Sequence, residues 1–109
     1  MKVLCFGKSE TRQKARSEFF MGAGCVAEWT TDLQTAINML GQGRFDAIVV
    51  GATVLPPDTE RIRSHIKQLN LHARVFTITT PTPFDEPDLV PELPAILFRL
   101  QGLSFGQSA

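Results

Sequence analysis

Continuous apolar runs and helical stripes alternate along the chain. "KVLCF" (2–6) is a short unbroken apolar run, the pattern of a central strand covered on both faces. In "SETRQKARSEFFMGAG", Ser9 is suited to cap a helix, Ala15 and Phe19 fall four apart, and Gly22 and Gly24 stop it. "CVAEW" (25–29) is a more polar strand, as suits a sheet edge. "TTDLQTAINMLGQGR" carries the clearest helical stripe, Leu33, Ala36, Ile37 and Leu40, with Thr31 and Gln34 spaced as a capping box and Gly41 as its end. "FDAIVV" (45–50) is strongly apolar and therefore central. In "PPDTERIRSHIKQLN", prolines open a helix, Asp58 is placed to cap it, and Ile62, Ile66 and Leu69 form its inner stripe. "ARVFTITT" (73–80) is β-branched and bounded by Pro81, a fourth strand.

The tail breaks the alternation. Pro81, Pro83, Pro87, Pro91 and Pro94 punctuate a connection over 81–94, and a C-terminal helix is expected from about 94 to 103 with Ile96, Leu97 and Leu100 inward. The last residues, "GQSA", are expected to fray. Strands separated by helices with short connections give a parallel sheet with right-handed crossovers and helices on both faces. One α/β domain spanning 1–109 follows, a three-layer αβα doubly wound sheet with its core over 2–80.

These residues carry a family resemblance. "GCVAEWTTDLQTAINML", "GRFDAIVVGATVLPP" and "ARVFTITT" resemble successive stretches of the receiver domain of bacterial response regulators. The resemblance covers about residues 2 to 80. It implies a flavodoxin-like fold with strand order 2-1-3-4, to which a full receiver adds a fifth strand. About 29 residues follow the fourth strand here, and the proline-rich half is a poor strand, so the fifth strand is expected to be absent or vestigial. Four strands at about 4.8 Å spacing make a sheet nearly 20 Å wide, room for two helices of about 10 Å on each face. The crossovers place the second and third helices on one face, and the C-terminal helix then belongs beside the first.

The chemistry that the resemblance implies does not carry over. A working receiver has an acidic pair after its first strand to hold Mg²⁺, an aspartate ending the third strand as nucleophile, a Ser or Thr ending the fourth, and a later lysine. Here the acidic pair maps onto Gly7 and Lys8, the nucleophile onto Gly51, and Thr79 (or Thr80) alone matches; no lysine follows Lys67. A hard cation needs oxygen ligands, and phosphoryl transfer depends on that metal. Glu10 falls in the first helix and Asp46 at the wrong end of its strand, so neither substitutes. Phosphorylation on aspartate by the family's mechanism is therefore not expected, nor any metal or cofactor.

Other candidate chemistry is sparse. Eleven basic and eleven acidic residues cancel, which favours neither nucleic acid nor an anionic membrane surface. The N-terminus lacks the pattern of a signal peptide and no run is long enough to span a membrane, so a cytoplasmic location is expected. Cys5 and Cys25 read as small buried thiols, at opposite ends of neighbouring parallel strands and beyond bridging distance. His65 and His72 have no matched acid and read as surface residues; Ser9 is explained by capping. Lys8 reads as an exposed loop lysine, the alternative being an anion ligand at the strand-end crevice.

The expected function is that of a non-catalytic pseudo-receiver in signalling, acting through protein–protein contact, with a partner or as a homodimer. The fourth strand would form a sheet edge, which the proline-rich loop or a partner must cover. Interface candidates are Phe76 and Ile78 on that strand, Trp29, and Phe98, Leu103 and Phe105 in the tail. Simple packing is the alternative for Trp29 and for the tail residues. The competing function is a sensor of a small anion or nucleotide, using the polar crevice at Gly7–Ser9, Gly51–Thr53 and Thr79–Thr80.

Overall fold

Two largely apolar central strands, flanked by two more mixed ones, set the architecture. A computed structural model describes residues 1–78 and 92–106. In chain order the elements are β1 (Lys2–Phe6), α1 (Glu10–Gly22), β2 (Val26–Thr30), α2 (Leu33–Gln42), β3 (Ala47–Val50), α3 (Pro56–Gln68), β4 (Arg74–Thr77) and α4 (Glu92–Gly106). All pairings are parallel, in the order β2-β1-β3-β4. The register aligns Phe6 with Thr30 and Val50, and Val50 with Thr77, so the strands end together on one side. Among the described residues the sheet has four strands. Residues 81–91 of the connection expected over 81–94, with Thr79 and Thr80 before it, lie outside the described residues.

Alternation within the strands divides the core into two layers. Val3, Cys5, Ala47, Val49, Phe76 and Ile78 face one side, where Phe20 of α1 and Leu93, Ile96 and Leu100 of α4 cover them. Leu4, Phe6, Ile48 and Val50 face the other, beneath Ala36, Ile37 and Leu40 of α2 and Ile62 of α3. The C-terminal helix thus lies beside α1, as the width of the sheet requires. Full burial of a side chain such as Leu4 or Ile48 contributes about 1.5–3 kcal/mol, so these two layers dominate the stability.

Several expectations fail at the helix termini. Ser9 caps α1 as expected, its Oγ accepting from Arg12 N at 3.3 Å. For α2 the cap is Asp32 rather than Thr31: Asp32 Oδ2 accepts from both Thr35 N and Thr35 Oγ1, each at 2.8 Å. The carboxylate one residue further on binds the Thr35 amide, which moves the start of the helix one residue past the Thr31–Gln34 pairing. Gly41 lies within α2, whose C-cap is Gly43. Asp58 does not cap α3. Leu55 is the N-cap there without a side-chain hydrogen bond, and Pro56 and Pro57 fill positions whose N–H groups would lack partners anyway. Leu69 is exposed at the end of α3 rather than inward. α4 starts and ends slightly outside its expected span, at Glu92 and Gly106.

Cys5 pairs in register with Trp29, at the far end of β2 from Cys25, and both thiols are free.

Candidate functional site

The aligned strand ends create the crevice in which open α/β sheets hold ligands. Its floor is Gly7 after β1 and Gly51 after β3, both buried. Gly51 N donates to Phe6 O at 2.8 Å and Gly7 N donates to Thr30 O at 3.4 Å, extending the sheet ladder by a residue on each side. Neither glycine has a positive φ, so their backbones do not require glycine. Space does.

What fills that space comes from α1. Its buried face is Gln13, Arg16, Ser17 and Phe20, not the Ala15–Phe19 face that hydrophobicity alone suggests. Gln13 and Arg16 are each 2% exposed. A Cβ on Gly7 would overlap Gln13 Nε2 and stand 2.9 Å from its Cδ. A Cβ on Gly51 would stand 3.2 Å from Arg16 Nη1 and 3.5 Å from Gly7 Cα. Arg16 Nη1 donates to Gln13 Oε1 at 3.2 Å, so amide and guanidinium form one unit over the two glycines. Long polar side chains are admitted because the strand ends present no side chains of their own.

Among the described residues, the buried charge at the crevice is Arg16. Burial pushes the Cys5 thiol up to about 12, and the nearby Arg16 charge partly opposes that rise. Cys5 is therefore a protonated core residue at neutral pH, not a nucleophile. Lys8 is exposed, so the cation inside the crevice is Arg16 instead. Ser9 is held in its cap. Asp46 sits at the opposite end of the sheet, its Oδ2 accepting from Lys2 N at 2.8 Å, and Glu10 is exposed in the first turn of α1. Among the described residues, no three His, Cys, Asp or Glu side chains come together as a metal site would need.

The interface candidates divide. Phe76 and Ile78 are 6% and 1% exposed, packed in the core beneath α4, and their side chains are not available to a partner. The period of β4 points them at the helix that returns over it. Trp29 is half-buried against the α1 layer, in a shallow surface with Lys14 and Met21. Phe98 is 64% exposed on the outer side of α4. The contacts of Leu103 and Phe105 lie outside the described residues, as does Thr79. His72 is exposed, while His65 is half-buried with its Nε2 enclosed and without a hydrogen-bond partner.

Gln13 and Arg16 were the residues that hydrophobic periodicity missed. Their signal was the pair of glycines at neighbouring strand ends, which leaves a hollow that only a long side chain can fill.

A doubly wound parallel sheet in this order, with its crevice above β1 and β3, defines a receiver-like domain of the flavodoxin type. The chain is similar to the pseudo-receiver domain of the CikA protein, solved by NMR, with TM-score 0.60 and 17% identity over 91% of this chain and 95% of that one. It is also similar to the chemotaxis response regulator CheY4 of Vibrio cholerae, with TM-score 0.54 and 17% identity over 91% of this chain and 97% of that one. No protein-family model matches the sequence, and no curated protein sequence matches it. Among the described residues, no helix is long and apolar enough to cross a membrane.

Proposed function

We propose that this chain is a pseudo-receiver: a cytoplasmic signalling module that accepts no phosphoryl group on aspartate, catalyses nothing, and acts by contact with another protein or a second copy of itself. One observation carries the reading. The crevice that would have to hold Mg²⁺ is occupied by the Gln13 amide and the Arg16 guanidinium above two glycines. Chelation of a hard cation needs carboxylate oxygens, and a fixed cation repels one. With Gly51 at the end of β3 there is no nucleophile for the transfer. The likeness to a domain described as a pseudo-receiver supports the same reading. Sensing of a small anion in the crevice is less well supported, because Gln13 and Arg16 take up the volume such a ligand would need.

Incubation with Mg²⁺ and acetyl phosphate, followed by intact-mass measurement, tests the first half. The expected mass is unchanged, and a gain of one phosphoryl group located on an aspartate overturns it. Light scattering across a dilution series tests self-contact.

A further inference from the structure

At the β4 side of the sheet, away from the crevice, arginines from three elements converge. Arg63 of α3, Arg74 of β4 and Arg99 of α4 frame a cavity of about 260 Å³ with Phe76 in its wall. Among the described residues, no acidic side chain lines it. The Arg74 and Arg99 guanidinium carbons lie 5.2 and 5.5 Å from the centre of the Phe76 ring, whose π-face holds both cations beside the cavity. Among the described residues, the ionic contact of Arg63 is with Glu60 Oε1, 3.7 Å from its Nε, and both side chains are exposed, where such a pair holds weakly. Arg74 Nη1 is buried and has no hydrogen-bond partner. A buried donor without an acceptor is costly, so Arg74 gains by turning its fork to an anion that enters.

We propose that this cavity docks an acidic peptide segment of a partner protein, added as a strand along β4. The proposal rests on the reading of the chain as a contact module and names the chemistry of its partner. Among the described residues β4 is the end strand of the sheet, and none of the described strands pairs with its outer side. Strand addition offers main-chain hydrogen bonds there, and successive side chains of the added strand point to opposite faces. The arginines are distributed in the same way. Arg74 and Arg99 belong to the α4 face, and Arg63 to the α3 face. Two consecutive acidic residues therefore meet cations on both sides of the sheet. Guanidinium forks match carboxylates in pairs of hydrogen bonds, which gives the docking its register.

The test uses the full chain and a fluorescein-labelled peptide of alternating Val with an embedded Glu-Asp pair, read by anisotropy. The peptide should bind, more weakly as salt rises, and its Gln-Asn counterpart should not. Arg63→Gln and Arg99→Gln, both at exposed positions, should each weaken binding about tenfold. Arg74→Lys should weaken it with charge retained, and Lys14→Gln on α1 should leave it unchanged. Circular dichroism checks that each variant is folded. Absence of binding overturns the proposal, as does equal binding of the Gln-Asn peptide or equal affinity across the arginine variants. Competition by glutarate or inorganic phosphate as strong as by unlabelled peptide would make this a small-anion site and overturns it too. Phosphorylation of the chain would sink the proposed function and leave this result readable; an unphosphorylated chain that ignores the peptide sinks this inference alone.

Discussion

Replacing Gly7 with alanine adds one methyl group at the point where α1 meets the sheet. The backbone there is ordinary, so the unfolded chain loses freedom and the substitution gains about 0.4–1 kcal/mol on that account. Against it stands the overlap with Gln13, whose Cδ would lie 2.9 Å from the new carbon. Gln13 is 2% exposed and accepts a hydrogen bond from Arg16, so it cannot retreat without breaking that bond or moving α1. Overpacking of this kind costs about 1–3 kcal/mol. The overlap wins, and Gly7→Ala should destabilise by about 1 kcal/mol, a fall of several degrees in Tm. Gln13→Ala alone should also cost about 1–2 kcal/mol, from the lost hydrogen bond and the hollow it leaves. Together the two changes should not add, since the methyl group enters the space the amide has vacated, and a coupling of about 1 kcal/mol should appear in the double-mutant cycle. Gly51→Ala, facing a 3.2 Å contact, should be milder than Gly7→Ala. Urea unfolding of the four proteins decides it. If Gly7→Ala is as stable as the parent, or the cycle is additive, then Gln13 does not fill the crevice and the argument against metal binding there loses its footing.

Other consequences are as direct. With the Cys5 thiol pushed up from 9.0 to about 12 in the folded chain, the stability it contributes is fully present below pH 9 and is lost as pH rises from there toward 12. Cys5→Ala should flatten that alkaline decline in urea midpoints, and a thiol reagent at pH 8 should label Cys25 alone until the chain is unfolded. Hydrogen bonds from Thr35 hold the Asp32 carboxyl below its ordinary 3.8, so its cap contributes above that pH and is lost as pH falls through the lowered value. Asp32→Ala should lower the urea midpoint at pH 7 and converge on the parent in acid, whereas Thr31→Ala should change little. Leu100→Ala, which hollows the layer under α4, should cost about 2–4 kcal/mol. Phe98→Ser should change stability by less than about 0.5 kcal/mol and weaken any self-association seen by light scattering.

The strand order and the sharing of faces were legible because β1 after Lys2 and all of β3 are apolar and the α2 stripe is clean; those patterns leave few alternatives. The α1 face was not legible. Gln13, Arg16, Ser17 and Phe20 have helical spacing, yet a hydrophobic pattern discards the first three, and only the glycines across from them make their burial favourable. Phe76 and Ile78 were misplaced for a different reason. Sequence identifies β4 as an edge, but an edge strand still has two faces, and α4 covers the one they share. Arg74 and Arg99 passed unnoticed because they meet only when α4 folds back over β4, a contact across the proline-rich stretch that no local spacing encodes.

The seating of α1 also has a mechanical corollary. Aliphatic surfaces slide past one another at small cost; a guanidinium bonded to an amide in a fitted recess does not. Shifting α1 by one turn, about 5.4 Å along its axis, would drag Arg16 off Gly51 and strand a cation against apolar strand residues. The helix therefore serves as a fixed abutment. Its neighbour α4 rests on the sheet through the apolar side chains of Leu93, Ile96 and Leu100, with Arg99 over the Phe76 ring, and so has the looser seat of the two.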